Sequence, residues 1–153
     1  MISIISATPD HALGMSQLLH SILKRWNSPR PHSPEHVRTY YIQPEGGIKC
    51  SVALKGDKVV GFQALLLATE GNAYEVTPGW GIIGTYVDGS EAGQGIGRKL
   101  FASSLDAARK IGLPAIDATI GDWNDEGLGY YGAMGFETYR TPAGAISKKF
   151  TLA

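Results

Sequence analysis

The sequence predicts one mixed α/β (α+β) domain over residues 1–153, with more strands than helices. Three observations predict it. Two amphipathic stripes at helical spacing, near residues 15–26 and 100–111, stand among short β-branched runs. Lys55-Gly56-Asp57 joins two apolar runs, which is a hairpin signature. Two strand–helix–strand passages fill the second half, and no linker or internal repeat divides the chain.

Residues 2–6 read as a first strand. Thr8-Pro9-Asp10 is a helix start: a capping hydroxyl, proline at the first helical position and an acid in the first turn. Met15, Leu18, Leu19, Ile22 and Trp26 follow at helical spacing, so a helix runs to about Arg25. Three prolines over residues 27–34 break it, and a short helix is expected over 33–42. Strands follow at 48–54, 58–68 and 80–87, the last interrupted by Gly81 and Gly84, which suggests a bulge or a close backbone neighbour. A glycine-rich loop then opens a helix whose buried stripe is Leu100, Phe101, Ser104, Leu105, Ala108 and Ile111. Gly112 ends that helix and Pro114 blocks its continuation. A strand at 115–120, a helix capped by Asp122 or Asn124 and running to about Ala133, and strands at 136–140 and 145–151 complete the order.

Composition narrows the function. The 14 basic and 14 acidic residues cancel, so the basic excess of a nucleic-acid binder is missing. No apolar stretch is long enough to span a membrane, and residues 1–5 lack the basic flank of a signal peptide. The single Cys50 cannot form an intramolecular disulfide, which makes a cytoplasmic setting the default expectation. Glycine is concentrated: of 20, seven lie in residues 79–97 and five in 121–135, where an even spread would put about four or five in total. Those two segments are where the chain's chemistry is expected.

The first reads Ala92-Gly93-Gln94-Gly95-Ile96-Gly97-Arg98-Lys99, between a strand and a helix. Helix-start amides have no intrahelical partner and carry partial positive charge, and glycine lets a phosphate approach them. The segment lacks the Gly-Lys-Ser/Thr ending of a P-loop. It also lacks the third glycine of the dinucleotide fingerprint, since Arg98 stands there. The second segment holds Asn124, Gly127, Tyr130, Tyr131, Gly135 and Phe136.

Together these segments resemble the two signatures of the GNAT superfamily of N-acetyltransferases: Arg/Gln-x-x-Gly-x-Gly/Ala opening a helix, then Asn-x-x-Ala-x-x-Phe/Leu-Tyr-x-x-x-Gly-Phe one strand later. Ala92 departs from the first, and Gly127 and Tyr130 from the second. The resemblance covers about residues 80–140. It implies a central, mostly antiparallel sheet splayed between its fourth and fifth strands and flanked by helices. It implies acetyl-CoA, or another acyl-CoA, as co-substrate. The backbone of Tyr86 and Val87 would pair with the pantetheine arm. The amides of Gly93, Gln94, Gly95, Ile96, Gly97 and Arg98 would hold the pyrophosphate, and Asn124 would hydrogen-bond the pantetheine region. Tyr131 would donate to the departing thiolate as general acid. The expected reaction is direct attack by the amine of a small-molecule acceptor. A protein acetyltransferase and a non-catalytic CoA-binding domain are the alternatives, and the resemblance allows a homodimer.

The proton acceptor stays open among Asp117, Glu70, Glu75, Asp88 and a water chain. Asp117 alternates away from Ile116, Ala118 and Ile120 and is placed on neither face. Trp26, Tyr40 and Tyr41 are candidates either for an acceptor pocket or for the core. Direct attack needs no covalent intermediate, so Cys50 reads as a small buried hydrophobe. His32 and His36 lack a third ligand at metal spacing and have Pro34 between them, so no metal site is expected.

Overall fold

A computed structural model describes residues 1–152. Seven strands form one sheet in the order β1-β2-β3-β4-β5-β7-β6. They are β1 (Ile2–Ser6), β2 (Gly47–Lys55), β3 (Lys58–Leu67), β4 (Gly81–Val87), β5 (Ala115–Gly121), β6 (Glu137–Arg140) and β7 (Ala145–Thr151). Every pairing is antiparallel except β4 with β5. The helices are α1 (Ala12–Arg25), α2 (Pro34–Val37), α3 (Ile96–Ile111) and α4 (Asp125–Met134). This is the predicted element order.

Local sequence accounts for most boundaries. Thr8-Pro9-Asp10 starts a 3₁₀ turn, Pro9–His11, which runs into α1. Ser33 caps α2 by accepting from the His36 amide at 3.1 Å, and α2 widens into a π turn over Arg38–Ile42. Gly112 closes α3 at φ +76°, where an L side chain is strained. Asn124, not Asp122, caps α4, its Oδ1 accepting from the Gly127 amide at 3.0 Å.

Two cores sandwich the sheet. On one face, Met15, Leu19 and Leu23 of α1 pack with Val37, Val52, Phe62 and Tyr86. On the other, Phe101 and Ala108 of α3 pack with Leu65, Ile83, Ile116, Tyr131 and Phe136. Strand alternation assigns each residue of β4 and β5 to a face. Ile83, Thr85 and Val87 face α3, and Ile82, Gly84 and Tyr86 face α1. Ile116, Ala118 and Ile120 face α3, which places Asp117 on the α1 face. Two expectations need correcting. Ile111 is 57% exposed, because it is the last residue of α3 and lies beyond the packed stretch. Gly81 marks no bulge or backbone approach: a Cβ there would strike the Leu65 and Leu113 side chains. Among the described residues, no helix is long and apolar enough to cross a membrane.

Candidate active site

The site begins where the sheet stops pairing. β4 pairs with β3 along its whole length but with β5 only at Gly81 and Ile82. From Ile83 onward the two parallel strands diverge, leaving one edge of β4 without a strand partner. A cavity of about 570 Å³ occupies the divergence. Burying unpaired backbone is costly, so an open ladder flanking a cavity is a place where a ligand can complete the hydrogen bonding. Gly84 faces α1 there, and a Cβ on it would meet nothing within 4 Å.

On the α3 face, Gly93 and Gly95 take left-handed φ values of +85° and +70° and steer the chain into α3. No side chain caps that helix, and the amides of residues 93–98 donate to no group among the described residues. Glu91 anchors the loop from beneath, accepting from Lys55 Nζ at 3.0 Å and from Gln94 Nε2 at 2.6 Å. The Gln94 side-chain amide is thereby tied to Glu91, although the residue is exposed. Arg98 and Lys99 are exposed at the same helix end.

Tyr131 lies beside the open edge of β4, 6% exposed. Its hydroxyl is 2.7 Å from Thr85 Oγ1, and both residues line the cavity. Burial pushes the phenol well above its ordinary range, so it stays protonated. Thr85 also accepts from Gln63 Nε2 at 2.9 Å, and Gln63 donates its other proton to the Tyr130 hydroxyl at 3.0 Å. Tyr130 donates to the Gly97 carbonyl at 2.8 Å, and Ser104 donates to Gln63 Oε1 at 2.6 Å. These bonds use both Gln63 amide protons and the Tyr130 proton. The Thr85–Tyr131 pair holds two protons and spends one between them. One hydroxyl proton is left for the cavity.

Asn124 and Gly127 also line the cavity. Because Asn124 spends its Oδ1 on the cap of α4, its Nδ2 is the group left for a ligand. Gly127 stands where the family signature has alanine, and a Cβ there would come within 2.7 Å of that Nδ2. Gly127 thus makes room for the Asn124 side chain, whereas Gly129 has open space around it.

On the α1 face, the Tyr86 ring is buried between Phe62 and Tyr41, and its hydroxyl accepts from Arg30 Nη2 at 3.1 Å. Trp26 and Tyr41 line the cavity and Tyr40 does not. Asp117 lines it and is fully buried, with Thr119 and Tyr139 donating to its oxygens. Burial raises its carboxyl above the usual range. Glu70, Glu75 and Asp88 lie outside the cavity. So does Cys50, whose thiol burial pushes up to about 12, making it a poor nucleophile. Gln63, Thr85 and Arg30 had no motif to mark them; a glutamine inside the apolar run 58–68 was the one visible signal.

The Acetyltransferase (GNAT) family model matches residues 15–136. The chain belongs to that family. As a GNAT protein it is an N-acetyltransferase of the acyltransferase class. Solved structures share the fold over nearly their full length. A GNAT-family acetyltransferase from Staphylococcus aureus superposes with a TM-score of 0.82 at 17% identity, covering 100% of both chains. The yncA protein of Salmonella typhimurium, solved with acetyl-CoA, gives 0.80 at 17% identity over 99% of this chain and 94% of that one. The paiA N-acetyltransferase of Thermoplasma acidophilum, solved with coenzyme A, gives 0.78 at 15% identity over 99% of both. No curated protein matches the chain by sequence.

Proposed function

We propose that this GNAT protein, residues 1–153 acting as one catalytic domain, transfers an acetyl group from acetyl-CoA to the amine of a small molecule. One observation carries the reading: an unpaired β4 edge and a buried tyrosine hydroxyl meet in one cavity. Of the helix start with unpaired amides, Gly97 lines that cavity, and residues 93–96 and Arg98 lie outside it. The residues suit the co-substrate. The amides of residues 93–98, with Arg98, would hold the pyrophosphate. The backbone of Tyr86 and Val87, with Asn124 Nδ2, would hold the pantetheine arm. The thioester supplies an activated acyl group, so no acyl-enzyme is needed.

An amine attacking that carbonyl creates first an oxyanion and then a thiolate. A β4 amide near Val87 serves the oxyanion. The Thr85–Tyr131 pair serves the thiolate, with Tyr131 as general acid. A phenol raised by burial remains the weaker acid, so it gives a hydrogen bond first and its proton only as charge develops on sulfur. Of the candidate proton acceptors, Asp117 alone combines a place on the α1 face with cavity lining, and its raised carboxyl is closer to the basicity required. The aromatic lining of Trp26 and Tyr41 suits a small molecule. The test is calorimetric titration with acetyl-CoA, followed by release of free CoA thiol across a panel of amines. Saturable binding and amine-dependent release are expected. Absence of both overturns the reading.

A further inference from the structure

One charged group of the cavity lacks a partner of opposite sign. Four charged side chains line it: Arg25, Arg30, Asp117 and Glu126. Arg25 Nη2 lies 3.7 Å from Glu126 Oε2. Asp117 has Arg140 Nη2 at 4.0 Å and accepts from two hydroxyls besides. Arg30 has no carboxylate within 4 Å among the described residues. Its one side-chain hydrogen bond, from Nη2 to the Tyr86 hydroxyl, uses one of five N–H donors and leaves four.

The segment carrying Arg30 is built to hold it still. The order is Ser28-Pro29-Arg30-Pro31-His32-Ser33-Pro34. Pro31 confines the Arg30 backbone to extended conformations. The segment is tied to α1 where Ser16 donates to the His32 carbonyl at 2.6 Å and where His32 stacks on His20 at 4.4 Å. Arg30 thus pays little backbone entropy when it engages a ligand. Its hydroxyl partner, Tyr86, belongs to the strand whose open edge adjoins Tyr131. A planar guanidinium with spare parallel donors matches a carboxylate bidentately. It repels a lysine side chain.

We infer that Arg30 is the carboxylate-binding residue of the acceptor side, and that the acceptor is an α-amino acid with an apolar side chain packed against Ile22, Trp26 and Tyr41. This rests on the acetyltransferase reading of the cavity and names its substrate class. The amino group then lies on the face that carries Asp117, while the carboxylate is held at the mouth.

The experiment separates binding from turnover. The full chain, saturated with CoA, is titrated calorimetrically with N-acetyl-leucine, N-acetyl-methionine and N-acetyl-phenylalanine, and with the C-terminal amide of each. For at least one side chain the acid is expected to bind about 10-fold to 100-fold more tightly than the amide, the range of a lost charge-assisted hydrogen bond. R30Q should reduce that ratio to about twofold, and R30K should fall between. Arg30 is exposed and makes one side-chain bond, so unchanged melting temperatures check the fold of both variants. Amides binding as well as acids, no binding of either, or an undiminished ratio in R30Q each overturn the assignment. Acetyl-CoA and the free amino acids are assayed in parallel. Acid-selective binding without CoA release keeps the Arg30 site and removes the acetyl-transfer reading.

Discussion

The two faces of β4 are built by opposite means. Thr85 turns toward α3 and α4, where a helix start, a strand and a helix face supply Gly97, Gln63 and Tyr131 in fixed register. Tyr86, the next residue, turns toward α1. There a proline-flanked loop and a π turn supply Arg30 and Tyr41. The first face offers backbone amides and a polar network with one hydroxyl proton to spare; the second offers aromatic rings and one guanidinium without a carboxylate partner. A co-substrate that never changes can be met by regular elements. An acceptor that defines the individual enzyme is met by side chains on irregular backbone, which is free to vary.

The largest effect tests the chemistry of the first face. Tyr131→Phe removes the phenol hydroxyl from the cavity and keeps the ring packed against Phe136. kcat should fall by about 10² to 10³ while acetyl-CoA affinity, read by calorimetry, changes less than about twofold. An unchanged kcat would remove Tyr131 from the acid role. Gly97→Ala comes next. Its Cβ would lie 2.5 Å from Tyr130 Cε1, and Tyr130 cannot swing away without losing its bonds to Gln63 and the Gly97 carbonyl. A loss of about 2 kcal/mol in denaturant melts is expected, of the size that overpacking costs, together with weaker acetyl-CoA binding. Thr85→Val keeps the shape and strands the Tyr131 hydroxyl and one Gln63 proton. It should cost about 1–2 kcal/mol, with Thr85→Ser recovering most of it. A neutral Thr85→Val would show that the network is not held from the Thr85 end.

The same asymmetry decides what the sequence made legible. Helix periods, the 55–57 turn and the glycine loop sit in contiguous residues, so the element order was readable, and the splayed sheet followed only from the family resemblance. The paired motifs marked Asn124 and Tyr131 because the helix between Asn124 and Phe136 holds them at fixed spacing. Gln63 and Thr85 were hidden, being 22 residues apart and joined only through strand register. Arg30 meets Tyr86 across 56 residues, a distance no local pattern encodes. Asp117 could not be assigned to a face until Ile116, Ala118 and Ile120 were seen to pack on the α3 side. Cys50, expected to be buried, is half-buried, though it packs against the α1-side core.

The smallest effect probes whether the first face is as fixed as its geometry suggests. Ala92 stands where the family signature carries Arg or Gln, and it is exposed just before Gly93. The neighbouring Gln94 cannot substitute, because its side chain is held by Glu91. Arg98 and Lys99 are then the cations left at the helix start. Ala92→Arg adds one exposed charge near the pyrophosphate amides, worth about 0.5–1 kcal/mol at low salt. Acetyl-CoA should bind about two- to fivefold more tightly by calorimetry, and the gain should shrink as ionic strength rises, because exposed charges are screened within about 10 Å at 0.1 M salt. Protein stability should stay within about 0.5 kcal/mol, since the position is exposed. A gain that persists at high salt would mean that the new side chain reorganises the loop, and the backbone of residues 93–98 would then be less rigid than its two left-handed glycines imply.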